Sequence, residues 1–402
     1  MGEPSSNEIR TRRVFYIPGY DPIHPRRYRE LYRTESKAQG EISDYTLALT
    51  PKTTDGPYGW QITNQIDKIE TKTDVEVLVW SDIVRVSMDQ GILATYGLLI
   101  RTAWTYISTG ALFRLMRLRK GPVIAALYPV VFLLIQLQLA LLAGYGLFRL
   151  IGMAAPWWAG IAGFVIVPLL LRWFKARDNK FFAYYLMHDY AYSASTRGSN
   201  PPELEARIAE FVDHIGQALD SDVDEVLVIG HSSGAHLAVS VLSDLLRAEK
   251  ARPDGPVLSF LSLGQVVPMV SFLPEAKRLR MDLNYLSQQQ RVFWLDVTAP
   301  GDGCAFALCD PVHVTGIAPK DKRWPIVISA AFTQTLSPAR WKELRWRFFR
   351  LHFQYLCAFD RPKDYDYFQI TAGPKSLKDR FGRRKPSKSR IETPVNTFTE
   401  MG

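Results

Sequence analysis

Five residues in the second half of the chain, Gly230-His-Ser-Ser-Gly234, have the types and spacing of a serine nucleophile site. Ser232 follows the uncharged aliphatic run 226–229, which predicts a buried strand, and precedes apolar residues at helical spacing. In a sharp turn between a strand and a helix, the two glycines leave room for a strained serine backbone. The N–H of Ser233, at the amino end of that helix, would point at a developing oxyanion. The chemistry that this pattern predicts is nucleophilic attack on an acyl carbon.

The strand, turn and helix around Ser232 resemble the nucleophile elbow of the α/β-hydrolase superfamily, on its lipase and esterase side. The resemblance covers roughly residues 10–110 and 200–372, and it implies an α/β fold with a mostly parallel sheet and flanking helices. It also implies a second oxyanion donor in the loop after an early strand. The candidate is the Tyr20 N–H, with Gly19 forming the turn. Because this chain has Pro-Gly-Tyr where many lipases have His-Gly-Gly-Gly, a plain turn without a catalytic role stays open.

A serine at neutral pH needs a base to accept its proton, and the base needs an orienting acid. The resemblance implies the chain order serine, acid, histidine. Of the seven histidines, His313 and His352 lie downstream of the predicted elbow helix. We prefer His352 because it follows the last predicted strand, 326–331, as the histidine of the family does. His313 precedes that strand and remains the alternative.

The acid is expected, by the same resemblance, in the loop after the predicted strand 292–295. Asp302 is the first candidate because it lies in the turn Ala299-Pro-Gly-Asp-Gly303, which is typical of a segment that presents a side chain. Asp296 and Asp310 remain alternatives. Aspartate is common in Gly/Pro turns for purely structural reasons, so the turn alone assigns none of the three.

Alternating and continuous apolar runs predict the elements that would position these residues. The predicted strands are 14–17, 74–80, 226–229, 257–264, 292–295 and 326–331, and the predicted helices are 26–38, 203–219 and 338–357. Trp60 and the polar residues before it are predicted to be loop. Helices between strands of this kind predict a parallel sheet.

The middle of the chain has a different character from the rest. From residue 121 to 171 there is one formal charge, Arg149. Residues 122–143 and 153–171 each match the ~20 residues that cross a bilayer core, and the glycines between them predict a turn. A transmembrane hairpin is therefore expected. A re-entrant hairpin and a buried helical hairpin remain open.

Basic clusters flank the predicted hairpin at 114–120 and 172–180. By the positive-inside rule both outer ends, and with them the catalytic domain and both termini, are expected in the cytoplasm. The stretch 91–113 is either an interfacial segment or a helix of the sheet domain. The resulting organisation is an N-terminal part of the hydrolase domain (1–113), the membrane hairpin (114–180), the C-terminal part with the elbow (200–372) and a basic, disordered tail (373–402).

The composition narrows the functional classes. The net charge of +9 lies largely beside the apolar middle and in the tail, which favours an anionic membrane surface over nucleic acid. Three cysteines without metal spacing argue against a disulfide framework or a zinc site. The sequence thus predicts a membrane-anchored serine hydrolase that cleaves a lipid-like or amphiphilic acyl ester without a cofactor. A thioesterase, a peptidase and a non-catalytic interaction module remain alternatives, and transport is disfavoured by the few polar residues in the hairpin.

Overall fold

The computed structural model describes residues 8–66 and 68–402, and its centre is an eight-stranded mixed sheet. The strands are β1 Thr11–Ile17, β2 Leu47–Pro51, β3 Gly59–Ile66, β4 Ile69–Val77, β5 Glu225–His231, β6 Val257–Leu263, β7 Val292–Thr298 and β8 Ile326–Ser329. Their order across the sheet is β2-β3-β4-β1-β5-β6-β7-β8. From β4 to β8 all neighbours are parallel, and β2 and β3 form an antiparallel edge.

The six predicted strands are confirmed, but the prediction of a loop around Trp60 is wrong. Trp60 begins an alternation in β3 in which it, Ile62 and Asn64 are buried while the residues between them are more exposed. That alternation is typical of a strand with one covered face. The polar residues in between conceal it in the sequence because they point away from the core.

The helices cover both faces of the sheet. They are α1 Arg26–Ser43, α2 Ser81–Met88, α3 Ile92–Ser108, α4 Ala111–Leu118, α5 Lys120–Ala154, α6 Ile166–Lys175, α7 Asp178–Phe181, α8 Ala183–Ser195, α9 Pro202–Leu219, α10 Gly234–Arg247, α11 Val267–Ser271, α12 Lys277–Gln288, α13 Pro311–Val314, α14 Phe332–Thr335, α15 Pro338–Leu344, α16 Phe348–His352, α17 Tyr367–Ala372 and α18 Leu377–Phe381. Two 3₁₀ helices, Trp157–Val165 and Phe353–Leu356, complete them.

Strand β5 explains why the run before the elbow is apolar on every residue. Val226 and Val228 pack on one face of the sheet, against a core that includes residues of α9, α10 and α12. Leu227 and Ile229 pack on the other face, against a core that includes residues of α1 and the C-terminal helices. A strand buried on both faces loses the alternation of an edge strand and becomes continuously apolar.

A long apolar helix pair is inserted between β4 and β5. The first arm, α5, has 35 residues, or about 52 Å at 1.5 Å per residue, which exceeds the ~30 Å hydrocarbon core of a bilayer. The second arm is the 3₁₀ helix Trp157–Val165 with α6. Both arms are long and apolar enough to cross a membrane. Large apolar side chains such as Leu142, Leu150 and Ile161 are exposed along them.

The turn of this hairpin lies at residues 155–156, later than predicted. Gly144, one of the glycines expected to form the turn, is inside α5, where an added Cβ would lie 3.0 Å from Phe164 and from Val167. Gly160 of the other arm packs equally closely against Phe148. The missing side chains of these glycines allow the two arms to pack closely against each other. Glycine in this segment therefore marks a helix contact and not a turn.

The segment before the hairpin is a bent helix pair. α2 and α3 meet at an angle of 105°, and together they could form a third span or a re-entrant segment. Trp104 and Ile100 are exposed on α3, whereas Leu99 packs with Leu133 of α5 and with residues of α8. Tyr106 of α3, in contrast, packs with Met269 of α11, so the segment 91–113 contacts both the apolar helix pair and the sheet domain.

The prediction that 373–402 is disordered is wrong. Leu377 and Phe381 are buried in the core against the sheet, and Ile391 pairs with Cys309 in an isolated β-bridge. Composition misled here because a few apolar residues of the tail, Leu377 and Phe381 among them, are buried although most of the segment is polar. The basic residues between them stay on the surface.

Candidate active site

Ser232 lies in a turn whose geometry requires both flanking glycines. Its φ angle is +57°, a left-handed conformation that is strained for a serine. A Cβ on Gly230 would lie 2.6 Å from the Cα of Ala235, and one on Gly234 would lie 2.1 Å from the carbonyl oxygen of Ile17. The Ser232 N–H donates to the Leu263 carbonyl at 2.9 Å, which ties the strained residue to β6. The turn therefore has the backbone of a nucleophile elbow.

The two candidate oxyanion donors, the N–H groups of Tyr20 and Ser233, lie beside each other. The loop after β1 approaches so closely that a Cβ on Gly19 would lie 3.0 Å from the Cβ of Ser232. The Tyr20 N–H donates to the Ser233 hydroxyl at 2.8 Å. For Tyr20 to serve an oxyanion, the Ser233 hydroxyl must rotate away, whereas the Ser233 N–H is available at the start of α10 without such a change.

His352 and Asp302, the preferred base and acid, are hydrogen-bonded. His352 Nδ1 lies 2.7 Å from Asp302 Oδ2. The same oxygen accepts from the Tyr355 hydroxyl at 3.0 Å, and the other oxygen accepts from the Cys304 N–H at 2.9 Å. The carboxylate is buried and fully occupied, so it holds the imidazole in one orientation.

The free nitrogen of His352 is available for proton transfer. With Nδ1 donating to Asp302, the neutral ring carries a lone pair on Nε2, and Nε2 is buried without a partner among residues 8–66 and 68–402. The ring stacks on His231, the neighbour of Ser232, with centroids 4.9 Å apart. His231 is itself engaged, since its Nε2 lies 3.1 Å from the His352 carbonyl and its Nδ1 lies 3.2 Å from the Tyr16 hydroxyl.

His231 stays neutral and structural. Burial, and then the positive charge that His352 can carry, lower the pKa of His231 to about 3. A neutral ring with its proton on Nε2 donates to the His352 carbonyl and accepts from Tyr16. His231 therefore positions the backbone of His352.

The alternative acids and the alternative base lie outside this arrangement. Asp296 is buried within β7, where it accepts from the Ser262 hydroxyl at 2.6 Å, and burial raises its pKa to about 8. A carboxyl that is protonated at neutral pH cannot stabilise an imidazolium. Asp310 and His313 form a separate pair that does not line the cavity containing Ser232.

His352 reaches the site because the predicted helix 338–357 is broken. The structure has α15, then α16 ending at His352, then the 3₁₀ helix Phe353–Leu356. The chain leaves the core between α15 and α16, where Trp346 and Phe348 are exposed. His352 is consequently a helix-terminal residue, close to the loop position that is usual for a catalytic histidine.

Ser232 and His352 line one cavity of about 790 Å³. Its walls are mostly apolar and aromatic, with Tyr106, Tyr185, Met269, Val270, Phe349 and Phe353 among them. Sequence reasoning missed two residues of this site. One is Tyr355, which lies in the predicted helix 338–357 and donates to Asp302. The other is Asp189, which lines the cavity and lies in an aromatic stretch without any motif. A carboxylate between tyrosines at helical spacing was the only signal.

The side chains of Asp302, Cys304 and His352 in the cavity region are poorly suited to hold a metal ion. Asp302, Cys304 and His352 offer ligand atoms within 4.8 Å of one another. However, His352 Nδ1 and Asp302 are already paired, and burial raises the pKa of the Cys304 thiol well above its usual value. A protonated thiol is a poor metal ligand. The geometry is that of a hydrogen-bonded acid and base.

No protein-family model matches this chain, and neither a curated protein nor a solved structure shows significant similarity to it.

Proposed function

We propose that the chain is a membrane-bound serine hydrolase of the α/β-hydrolase type that cleaves an ester of a lipid-like or amphiphilic acyl substrate. The observation that carries the proposal is the His352–Asp302 hydrogen bond in the same cavity as Ser232, whose φ angle is +57°. Three parts of the chain that are distant in sequence supply a nucleophile, a base and an orienting acid.

In the proposed mechanism Ser232 Oγ attacks the acyl carbon as His352 Nε2 accepts its proton. The Ser233 N–H binds the oxyanion, and the Tyr20 N–H joins it once the Ser233 hydroxyl has rotated. His352 then gives its proton to the leaving alcohol, and the C–O bond breaks to leave an acyl-enzyme. A water molecule attacks the acyl-enzyme with His352 as base again, and the acid product leaves as Ser232 Oγ regains its proton. Asp302 stabilises the imidazolium throughout.

The sheet supports the α/β-hydrolase assignment. The elbow follows β5 in the middle of the sheet, the acid follows β7 and the histidine follows β8. Serine, acid and histidine therefore come in the chain order that the superfamily uses. All three follow carboxyl ends of parallel strands, the edge at which α/β sheets bind ligands.

The choice of an amphiphilic substrate and of the lipid bilayer as partner rests on where the cavity lies. Pro122, near the start of the first membrane arm, and Phe182, shortly after the second, line its wall. Phe182 also packs against Phe349, with ring centroids 5.4 Å apart. A cavity with apolar walls at the base of a membrane hairpin suits a substrate that partitions into the bilayer. With the basic flanks of the hairpin in the cytoplasm, the site opens on the cytoplasmic face.

Labelling by a fluorophosphonate probe in detergent tests the proposal, because the probe reacts covalently with an activated serine. We expect labelling of the wild type, none of Ser232→Ala, and wild-type labelling of Ser389→Ala, a matched control on the exposed C-terminal surface. Equal thermal unfolding of the three proteins shows that each is folded. An unlabelled, folded wild type contradicts the proposal and favours a non-catalytic interaction module. Hydrolysis of thioesters or amides in preference to oxygen esters would change the substrate class to that of a thioesterase or a peptidase.

A further inference from the structure

Four carboxylate residues line the cavity, and one of them differs from the rest in having no partner. Asp21 accepts from the Tyr28 hydroxyl at 2.7 Å, and Asp178 accepts from two backbone N–H groups at 2.9 Å. Glu35 accepts from the Ala358 N–H at 2.9 Å. Asp189 accepts no hydrogen bond from the parts of the chain that the structure describes. The first three are accounted for by the fold, and Asp189 is not.

We propose that Asp189 is a specificity-determining residue that accepts a hydrogen bond from a free hydroxyl on the alcohol side of the substrate. This inference rests on the proposed function and adds a substrate class to it. The preferred esters are those of a polyol, in which at least one hydroxyl next to the cleaved bond remains free.

Helix α8, which carries Asp189, packs against other parts of the protein on two of its faces. Tyr184, Met187 and Ala191 of α8 pack with residues of the membrane-side helices α3 and α5. On the other face, Tyr185 and Tyr192 pack against Tyr20, with ring centroids 6.2 and 5.8 Å from it. Asp189 is four residues after Tyr185 and three before Tyr192, so it shares the face that is turned to the site. Its place is set from both sides by packing.

The surroundings of Asp189 favour a neutral donor. The ionisable groups whose charges interact with Asp189 are Tyr20, Tyr106, Tyr185, Tyr190, Cys304 and His352. The arginines that line the cavity, Arg27, Arg340 and Arg350, are not among them. Burial raises the pKa of the Asp189 carboxyl to about 7, while the charge of His352 lowers it. With a pKa near neutral pH, the Asp189 carboxyl is present in both its protonated and its ionised form, and in either form one of its oxygens can accept a hydrogen bond from a hydroxyl. A hydroxyl bound here would supply the hydrogen bond that the fold does not give to Asp189.

The position of Asp189 points to the alcohol part of the ester. Asp189 and His352 line the same cavity, and the charge that His352 can carry acts on the Asp189 carboxyl. In the proposed mechanism His352 is the group that protonates the leaving alcohol, so the wall near His352 faces that alcohol. The rest of the cavity is apolar and suits the acyl chain.

Protection of Ser232 from the fluorophosphonate probe measures this preference without requiring turnover. The competitors are 1-O-octylglycerol, octyl methyl ether and octyltrimethylammonium, which share one alkyl chain and differ in the head group. In the wild type we expect the glycerol ether to protect at a concentration about tenfold lower than the methyl ether, the ratio that one hydrogen bond to a buried carboxyl supplies. Asp189→Leu should abolish the ratio, and Asp189→Asn, whose amide oxygen still accepts, should keep part of it.

Each result supports or overturns the inference. Equal protection by the two ethers in the wild type overturns it, as does a ratio that Asp189→Leu leaves unchanged. Stronger protection by the ammonium compound that disappears in Asp189→Leu would replace the hydroxyl by a cation. If Asp189→Leu loses labelling altogether, Asp189→Asn carries the test. Absence of labelling in the wild type is different, because it overturns the proposed function itself together with this inference.

Discussion

Residues 8–66 and 68–402 contain two histidine–aspartate pairs, and the pairs differ in what else the aspartate binds. In one pair His352 Nδ1 lies 2.7 Å from Asp302, and in the other His313 Nδ1 lies 3.3 Å from Asp310. The His352 side chain is 8 % exposed and the His313 side chain is 33 % exposed. Both aspartates follow β7 in the chain, but His352 follows β8 whereas His313 precedes it.

Both oxygens of Asp310 have structural partners. Its Oδ1 accepts from the backbone N–H groups of Val312 and His313 and so caps α13, while its Oδ2 pairs with Lys322 at 2.7 Å. Burial would raise the pKa of Asp310, but His313 and Lys322 lower it below its ordinary value. Since the ammonium already neutralises the carboxylate, little of its charge is left to make His313 a stronger base.

Asp302 has the opposite set of partners. Its donors are uncharged apart from the histidine itself, namely the Tyr355 hydroxyl and the Cys304 N–H. They fix the carboxylate without neutralising it. Its negative charge therefore remains available for the imidazolium of His352. A histidine–aspartate pair is suited to acid–base chemistry when no lysine or arginine neutralises the aspartate. The absence of such a cation distinguishes the pair as much as its short hydrogen bond does.

The largest predicted contrast is between the two histidines. His352→Ala should lower the rate of ester hydrolysis by about 10⁴- to 10⁶-fold, because the nucleophile loses its base. His313→Ala should stay within about twofold of the wild type. The measurement is kcat/KM on a chromogenic octanoyl ester with each protein in the same detergent. A large loss in His313→Ala together with retained activity in His352→Ala would exchange the roles of the pairs.

The two aspartates should separate activity from stability. Asp302→Asn should lower kcat by about 10³- to 10⁴-fold, because the amide cannot stabilise the imidazolium. Asp310→Asn should leave kcat nearly unchanged and lower the free energy of unfolding by about 2 kcal/mol, since Lys322 loses its partner in a poorly exposed site. Activity assays and denaturant unfolding of both variants give the two readouts. A large loss of kcat in Asp310→Asn would contradict the assignment of a structural role to Asp310.

Much of the fold could be predicted from the sequence because its signals are local. The strand 226–229 and the glycines around Ser232 are contiguous, and each restricts the backbone directly. The insertion of a long apolar pair was equally clear from one charge between 121 and 171. In both cases the residues that carry the pattern are also those that form the structure.

The remaining errors have a common physical cause. Gly144, one of the glycines predicted to form the turn, instead contacts the opposite arm, and its neighbours in the sequence do not reveal that contact. The prediction for the tail was wrong for a similar reason, because Leu377 and Phe381 pack in a core formed by strands that are distant in sequence. The place of Asp189 likewise depends on the packing of α8 on the distant helices α3 and α5. Tertiary contacts, and not local propensity, decide such positions.

The smallest predicted effect tests the role of the uncharged partners of Asp302. Tyr355→Phe removes a hydroxyl that donates to Asp302 at 3.0 Å and accepts from the Ala299 N–H at 2.9 Å. The carboxylate stays in place through Cys304 but is held less firmly. We expect kcat to fall by about tenfold with little change in KM, which corresponds to one hydrogen bond of about 1.4 kcal/mol.

A matched control for Tyr355→Phe exists in the same fold. The Tyr45 hydroxyl also donates to a buried carboxylate, Asp366, at 3.0 Å, but neither residue lines the cavity. Tyr45→Phe should therefore lower the free energy of unfolding by a similar amount and leave kcat unchanged. Because both variants lose a buried hydroxyl next to a carboxylate, only a role of Tyr355 in holding Asp302 for His352 makes their kcat values differ. Equal kcat values would show that the Tyr355 hydroxyl does not hold Asp302 in position for His352. The Cys304 N–H would then be sufficient to orient the carboxylate.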